Sequence, residues 1–346
     1  MNASYQQYIL QFKRPSGTSR GILKQKETWF VLLEHQGKQG IGECGLLRGL
    51  SIDDRKDYEE KLQWLCGHIY LGLDALYEQL KEFPSIQFGL EQAFLSLQSE
   101  DKFTLFPSDF TKNRTGIMIN GLVWMGEKEF MRNQIIDKIE TGFKCIKLKI
   151  GAINFEEEIA LLNFIRKEFD QSDIEIRVDA NGAFLVEDAL DKLKILSDFQ
   201  LHSIEQPIKQ GQLEIMAQLC EQTPLPIALD EELIGVFGHD EKQKIVQTIR
   251  PQYIILKPSL IGGFKGSEQW IDLAEENHVG WWVTSALESN IGLNAIAQWT
   301  ATLNNDMPQG LGTGGLYTNN FDSPLVVENG FLHCDSNLDW DLKFLK

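Results

Sequence analysis

Apolar and polar positions alternate with two different periods along the chain. From residue 5 to 46, short β-type runs at 5–13, 28–34 and 41–46, with a turn at 37–40, predict a small antiparallel sheet. Between the first two runs lies Pro15-Ser16-Gly17-Thr18-Ser19-Arg20-Gly21. It is rich in turn formers and predicts a mobile loop. Helical periodicity follows over about 52–66, 70–82 and 85–98, and residues 99–113 read as a linker. Residues 1–110 are therefore expected to form an α+β domain.

Beyond residue 114, short β-type runs alternate with helical ones. Five of these runs carry a charged residue at or near their ends: CIKLKI with Lys149, IEIRVDA with Asp179, LHSIE with Glu205, PLPIALD with Asp230 and YIILK with Lys257. The intervals between those residues are 30, 26, 25 and 27, the length of one strand plus one helix. That period predicts a (β/α) barrel with each marked residue at the carboxyl end of a strand, where such barrels hold their active sites. Further strand signals at 116–120, 280–285 and 309–313 bring the number to eight, with no full helix after the last. The expected class is α/β, a (β/α)7β TIM-like barrel over 114–318. Residues 319–346, with strand signals at 324–328 and 330–333, are expected to return to the first domain.

Strand parity supports the assignment. Side chains alternate faces along a strand, so Lys147 and Lys149 share one face while Ile146, Leu148 and Ile150 share the other. A barrel interior filled with branched apolar residues does not bury two ammonium groups without a reason.

Composition limits what such a mouth binds. The chain has 346 residues and a net charge of −17, from 50 acidic and 33 basic residues, which argues against nucleic acid or anionic lipid as a partner. An anionic substrate then needs a local island of positive charge. No apolar stretch approaches the roughly 18 residues of a membrane span, and the N-terminus does not read as a signal segment, so a soluble cytoplasmic protein is expected. The five cysteines are scattered without a C-x-x-C pair, which suggests neither a disulfide framework nor a thiolate metal site. The oligomeric state is not legible from the sequence.

Asp179, Glu205 and Asp230 offer three hard oxygen donors from consecutive strands, a set suited to Mg²⁺ or Mn²⁺ with positions left open for water or substrate. Lys149 and Lys257 flank them and suit acid–base work. A lysine base must be largely neutral, so its pKa has to fall from about 10.4 to roughly 7 or 8. Lys147, two residues away on the same face, and a nearby divalent cation both act in that direction. Metal and lysines together are equipment for removing a proton α to a carboxylate, because positive charge stabilises the enediolate that forms.

The chain resembles the muconate-lactonizing branch of the enolase superfamily and, within it, the o-succinylbenzoate synthases. The carriers of the resemblance are Gly42-x-Cys44 with Glu43, Lys147-x-Lys149, Val178-Asp179-Ala180-Asn181-Gly182, Ile204-Glu205-Gln206-Pro207, Leu229-Asp230-Glu231, Leu256-Lys257-Pro258 and Ser285-Ala286-Leu287-Glu288-Ser289-Asn290-Ile291-Gly292. Each fragment alone is weak, whereas their order and spacing are specific. A Lys or His base working beside Mg²⁺ is characteristic of that superfamily. The resemblance implies a capping domain closing over the barrel mouth, with Asp179, Glu205 and Asp230 as Mg²⁺ ligands and Asn181 and Glu231 supporting them. It further implies that Lys149 takes the α-proton of 2-succinyl-6-hydroxy-2,4-cyclohexadiene-1-carboxylate and helps hydroxide leave as water, giving o-succinylbenzoate for menaquinone biosynthesis. Lys257 would stabilise the enediolate and the ring by its charge.

Absences help to separate relatives. Thr284-Ser285-Ala286 stands where mandelate-racemase-like members place a base histidine, and Gly310 to Gly315 offers no acidic pair of the kind dipeptide epimerases use. Thr284, Ser285, Gly312 and Thr313 are candidate contacts to a substrate carboxylate or succinyl arm, and Arg20 is a candidate lid contact. Racemisation of an N-acylamino acid, such as an N-succinyl derivative, is the alternative activity, since it too uses two lysines on opposite faces of a substrate. Dipeptide epimerisation ranks below it.

Overall fold

The computed structural model describes residues 1–18, 21–151 and 153–342. Its strands, in chain order, are β1 (Asn2–Thr18), β2 (Gly21–His35), β3 (Lys38–Cys44), β4 (Ile117–Met118), β5 (Gly121–Val123), β6 (Cys145–Lys149), β7 (Glu175–Asp179), β8 (Ser203–Glu205), β9 (Ile227–Leu229), β10 (Tyr253–Leu256), β11 (Gly280–Val283), β12 (Leu325–Glu328) and β13 (Phe331–Cys334). They form three sheets: antiparallel β1-β2-β3, a seven-stranded sheet in the order β11-β10-β9-β8-β7-β6-β5, and β12-β13-β4.

The seven-stranded sheet is parallel throughout, and its edges meet through residues 309–310. Ile119 bridges Gln309 and Thr284 bridges Gly310, both in parallel sense, so the sheet curls into a barrel whose eighth position is held by single bridges. Crossover helices such as Lys128–Glu140, Phe155–Glu168 and Val186–Ser197 cover its outside. Their apolar faces and the outward side chains of the strands, for example Ile146, Leu148, Ile176 and Val178, form one continuous core.

The first sheet packs on the helix Pro84–Gln98, and Gly42 is what permits the approach. A Cβ there would stand 1.9 Å from the Gly89 carbonyl oxygen. The cap is tied to the barrel by two buried glutamates that meet the N-termini of barrel helices. Glu43 accepts from the Ser289 and Gly292 amides, each at 2.9 Å, and from the hydroxyls of Ser289 (2.5 Å) and Thr28 (2.8 Å). Glu91 accepts from the amides of Phe264 (2.7 Å) and Lys265 (3.1 Å), where the helix Gly263–Glu276 begins. Exposed amides and the helix dipole favour a carboxylate at such an end.

Three differences from the sequence expectations have local causes. The stretch 15–18 is strand, not loop. Ser16, Gly17 and Thr18 pair with Leu23, Ile22 and Gly21 after a register shift beyond Gln11, so the hairpin carries its pairing past the turn formers. The first barrel strand is Gly121–Val123, not 116–120, because Ile117–Met118 pairs with β13 instead. The tail divides its contacts. Around 317–319 it bonds β1, with the Thr318 amide donating to the Gln11 carbonyl at 2.9 Å, whereas β12 and β13 pair with β4. Among the described residues no helix is long and apolar enough to cross a membrane.

Candidate active site

Parallel pairing sets the marked residues in register. Lys147 lies opposite Arg177 and Lys149 opposite Asp179, which in turn lies opposite Glu205, while Asp230 and Lys257 follow the ends of β9 and β10. All six charged groups (Lys147, Lys149, Lys257, Asp179, Glu205, Asp230) are buried. Lys147 Nζ lies 2.9 Å from Asp179 Oδ2 and also donates to Glu205 Oε2. Lys149 Nζ donates to Asp179 Oδ2 at 2.6 Å and to Asn181 Oδ1 at 2.8 Å. Lys257 Nζ donates to Asp230 Oδ2 and stands 3.6 Å from Glu205 Oε1. Asn181 Nδ2 completes the ring by donating to Glu231 Oε1 at 3.1 Å.

These neighbours shift the ionisation of the group. Lys149 is lowered from the ordinary lysine value by burial, by Lys147 and by Lys257, against the attraction of Asp179 and Glu205. Lys147 moves the other way: burial opposes its charge, but Asp179, Glu205 and Asp230 together hold the proton on it. Burial pushes Asp179 up, and the three ammonium groups outweigh burial and keep it well below the usual carboxylate range. Glu205 is pushed up to about 8 by burial and by the neighbouring Asp179 and Asp230. Of the two K-x-K lysines, Lys149 is thus the one that burial and its neighbours shift toward the neutral form.

Among the described residues no three His, Cys, Asp or Glu side chains already form a cage for a metal ion. The lysine ammonium groups stand between the carboxylates, as cations must where three buried acids would otherwise repel one another. The donor set still fits a hard divalent ion. Three carboxylates project from adjacent strand ends, and Glu205 Oε1 is buried with no hydrogen-bond partner among the described residues. A cation would replace the lysine contacts on Asp179, Glu205 and Asp230.

The same three lysines line a cavity of about 280 Å³ together with Thr284, Ser285, Gly312 and Thr313. Thr313 Oγ1 donates to Ser285 Oγ at 2.9 Å, and Ser285 Oγ donates to buried Glu288 at 2.6 Å. Leu287, also on the wall, holds a left-handed φ of 67°. Its amide donates to Ser285 Oγ at 3.1 Å and its carbonyl accepts from Tyr317 at 2.7 Å, so the strained backbone is fastened on both sides. Arg20, the candidate lid contact, lies outside the described residues.

Several residues around the site were given no role by the sequence. Gln206 is buried, with a φ of 41°, and its Oε1 accepts from the amides of Asp230 and Glu232, both at 3.3 Å, which orients the end of β9. Arg48 reaches the cavity wall while bound to Glu27 and Asp54, both at 2.6 Å. Asn120, Leu122 and Trp124 line the cavity from the first barrel strand, and parity was the one signal for them. Leu122 pairs with Lys147, so residues 120, 122 and 124 share its inward face.

A family model described as enolase C-terminal domain-like matches residues 131–337. An o-succinylbenzoate synthase from Desulfotalea psychrophila is 48% identical, over 96% of this chain and 98% of its own. A crystal structure of MenC from the same organism superposes with a TM-score of 0.86 at 45% identity, covering 96% of this chain and 99% of that one. Muconate lactonizing enzyme from Pseudomonas fluorescens, solved with muconolactone, gives a TM-score of 0.83 at 21% identity, covering 99% and 97%, a likeness of fold.

Proposed function

The chain belongs to the enolase superfamily, among its o-succinylbenzoate synthases, and from that membership we propose that it dehydrates 2-succinyl-6-hydroxy-2,4-cyclohexadiene-1-carboxylate to o-succinylbenzoate. It is a carbon–oxygen lyase. The likeness over nearly the whole of both chains carries this reading. Members of the superfamily depend on Mg²⁺ generally, and here Asp179, Glu205 and Asp230 would hold it, with Mn²⁺ as a substitute that the same oxygen donors would accept. When bound, the cation supplies positive charge beside the substrate carboxylate and so stabilises the charge that develops there.

The lysines divide the proton work. Lys149, in its neutral form, takes the proton from ring C1, and its contact with Asn181 Oδ1 positions Nζ. The resulting ammonium gives that proton to the ring hydroxyl on the same face, the C–O bond breaks and water leaves as the ring becomes aromatic. Lys257, on the other side of the barrel mouth, stays charged and faces the anionic ring. Burial of all three lysines keeps bulk water from competing for the proton. On this reading the substrate is a small anionic carboxylate, and the reaction belongs to menaquinone biosynthesis in the cytoplasm.

Absorbance-monitored turnover of the diene by purified protein tests the proposal. Loss of the diene with Mg²⁺, abolished by EDTA, is the expected result. No turnover with Mg²⁺ would move the assignment to N-succinylamino acid racemisation. That second reading is favoured by Lys149 and Lys257 at the ends of β6 and β10, facing the cavity from opposite sides.

A further inference from the structure

Asn120 lines the active-site cavity at the entry to β5 and is 5% exposed. Its Oδ1 is buried and has no hydrogen-bond partner among the described residues. A buried amide left unmet by its own chain weakens the fold, so a ligand contact is a physical reason for keeping one. The neighbouring Ser285 and Thr313 hydroxyls are bonded to each other and to Glu288, while Arg48 is bound to Glu27 and Asp54.

The position of Asn120 in the barrel indicates what it would meet. The acids Asp179, Glu205 and Asp230 belong to β7, β8 and the end of β9. The seam where β5 meets β11 through residues 309–310 lies across the barrel from them. A substrate with one carboxylate among those acids and their cation therefore directs its other end at this seam. The wall there is kept low by glycines. Gly312 presents no side chain to the cavity, and Gly310 lies so close to Thr284 that a Cβ would strike Oγ1 at 2.5 Å. The other end of the amide, Nδ2, donates to no group among the described residues, and it is this donor that an anionic oxygen in the cavity would meet.

We infer that Asn120 donates a hydrogen bond to the terminal carboxylate of the succinyl arm and so helps to determine which carboxylates the enzyme accepts. This rests on the o-succinylbenzoate synthase reading. Two ligands separate the arm's carboxylate from its shape: o-succinylbenzoate, and 2-butyrylbenzoate, which keeps the ketone and carries a methyl group in place of that carboxylate. Each is titrated calorimetrically into Mg²⁺-loaded protein, unmodified and Asn120→Leu. The substitution is expected to weaken o-succinylbenzoate about tenfold and to leave 2-butyrylbenzoate unchanged. The melting temperature of the ligand-free variant should not fall, since leucine removes an unmet polar group.

Equal weakening of both ligands would make Asn120 a shape-determining residue only and overturn the inference, as would no weakening of either. Should Asn120→Leu fail to fold, Asn120→Asp serves in its place. A like charge facing the arm should weaken o-succinylbenzoate far more than 2-butyrylbenzoate, and equal effects overturn the inference. If the unmodified protein binds neither ligand and does not turn over the diene, the functional reading falls and the inference with it. Binding that both variants leave unchanged removes the inference alone.

Discussion

Lys149 owes its proposed chemistry to its neighbours. Asn181 holds its Nζ, while burial and Lys147 lower its affinity for the proton. Lys149→Ala should cut turnover of the diene by about a thousandfold, within the range for loss of a general acid–base group, with Mg²⁺ affinity retained. Near-normal turnover in that variant would remove the lysine from the proton transfer. Asp230→Asn should weaken Mg²⁺ binding by about tenfold or more, and calorimetric titration showing unchanged affinity would exclude Asp230 as a ligand. At this scale the charged residues were legible because charge at a strand end in a barrel is costly and therefore informative. Of the amides, Asn181 was named through the resemblance alone, and Gln206 and Asn120 were given no role. Gln206 orients Asp230 and Asn120 lines the cavity, yet a single Gln or Asn in a sequence looks like any surface residue until the fold buries it.

Among the elements, spacing carried more than local composition. Intervals of 25 to 30 residues between charged strand ends located β6 to β10, because one strand, one helix and two turns consume a nearly fixed length of chain. The first barrel strand was misplaced for a reason outside that rule. Residues 117–118 have the apolar character of a strand and form one, but with β13. No short-range signal says which of two sheets a strand will join. Nor could sequence show that Glu91, in the cap helix Pro84–Gln98, sits at the start of the barrel helix Gly263–Glu276. Its carboxyl is pushed up to about 8 by burial, against the two amides it accepts from, with Lys265 and Glu268 as charged neighbours. The folded protein therefore holds this proton more tightly than the unfolded chain does. The resulting stability is complete below about pH 4.5 and is lost as pH rises through about 8. Glu91→Gln should remove that part of the decline, read as a smaller fall in melting temperature between pH 5 and 9 than in the unmodified protein. Identical slopes would show that Glu91 titrates at an ordinary carboxyl value.

In the molecule as a whole, the proposed catalytic groups come from the barrel, while the cap contributes wall residues such as Leu23, Leu47 and Arg48. Glu43 and Glu91 hold the two parts together through helix ends, so cap and barrel meet through buried polar contacts as well as apolar ones. The ion pairs of the site have a consequence for how ligands enter. Three ammonium groups pair with three carboxylates there. Mg²⁺ alone would add two positive charges to that buried space, and a dicarboxylate alone two negative ones. Together they add no net charge. Each should therefore raise the affinity for the other by the same factor, as linkage requires. Calorimetric titration of Mg²⁺ with and without o-succinylbenzoate measures that factor, and a value of one would mean that the two enter independently. A site balanced in this way takes up cation and dianion as a neutral pair, and it discriminates against any molecule that brings only half of that charge.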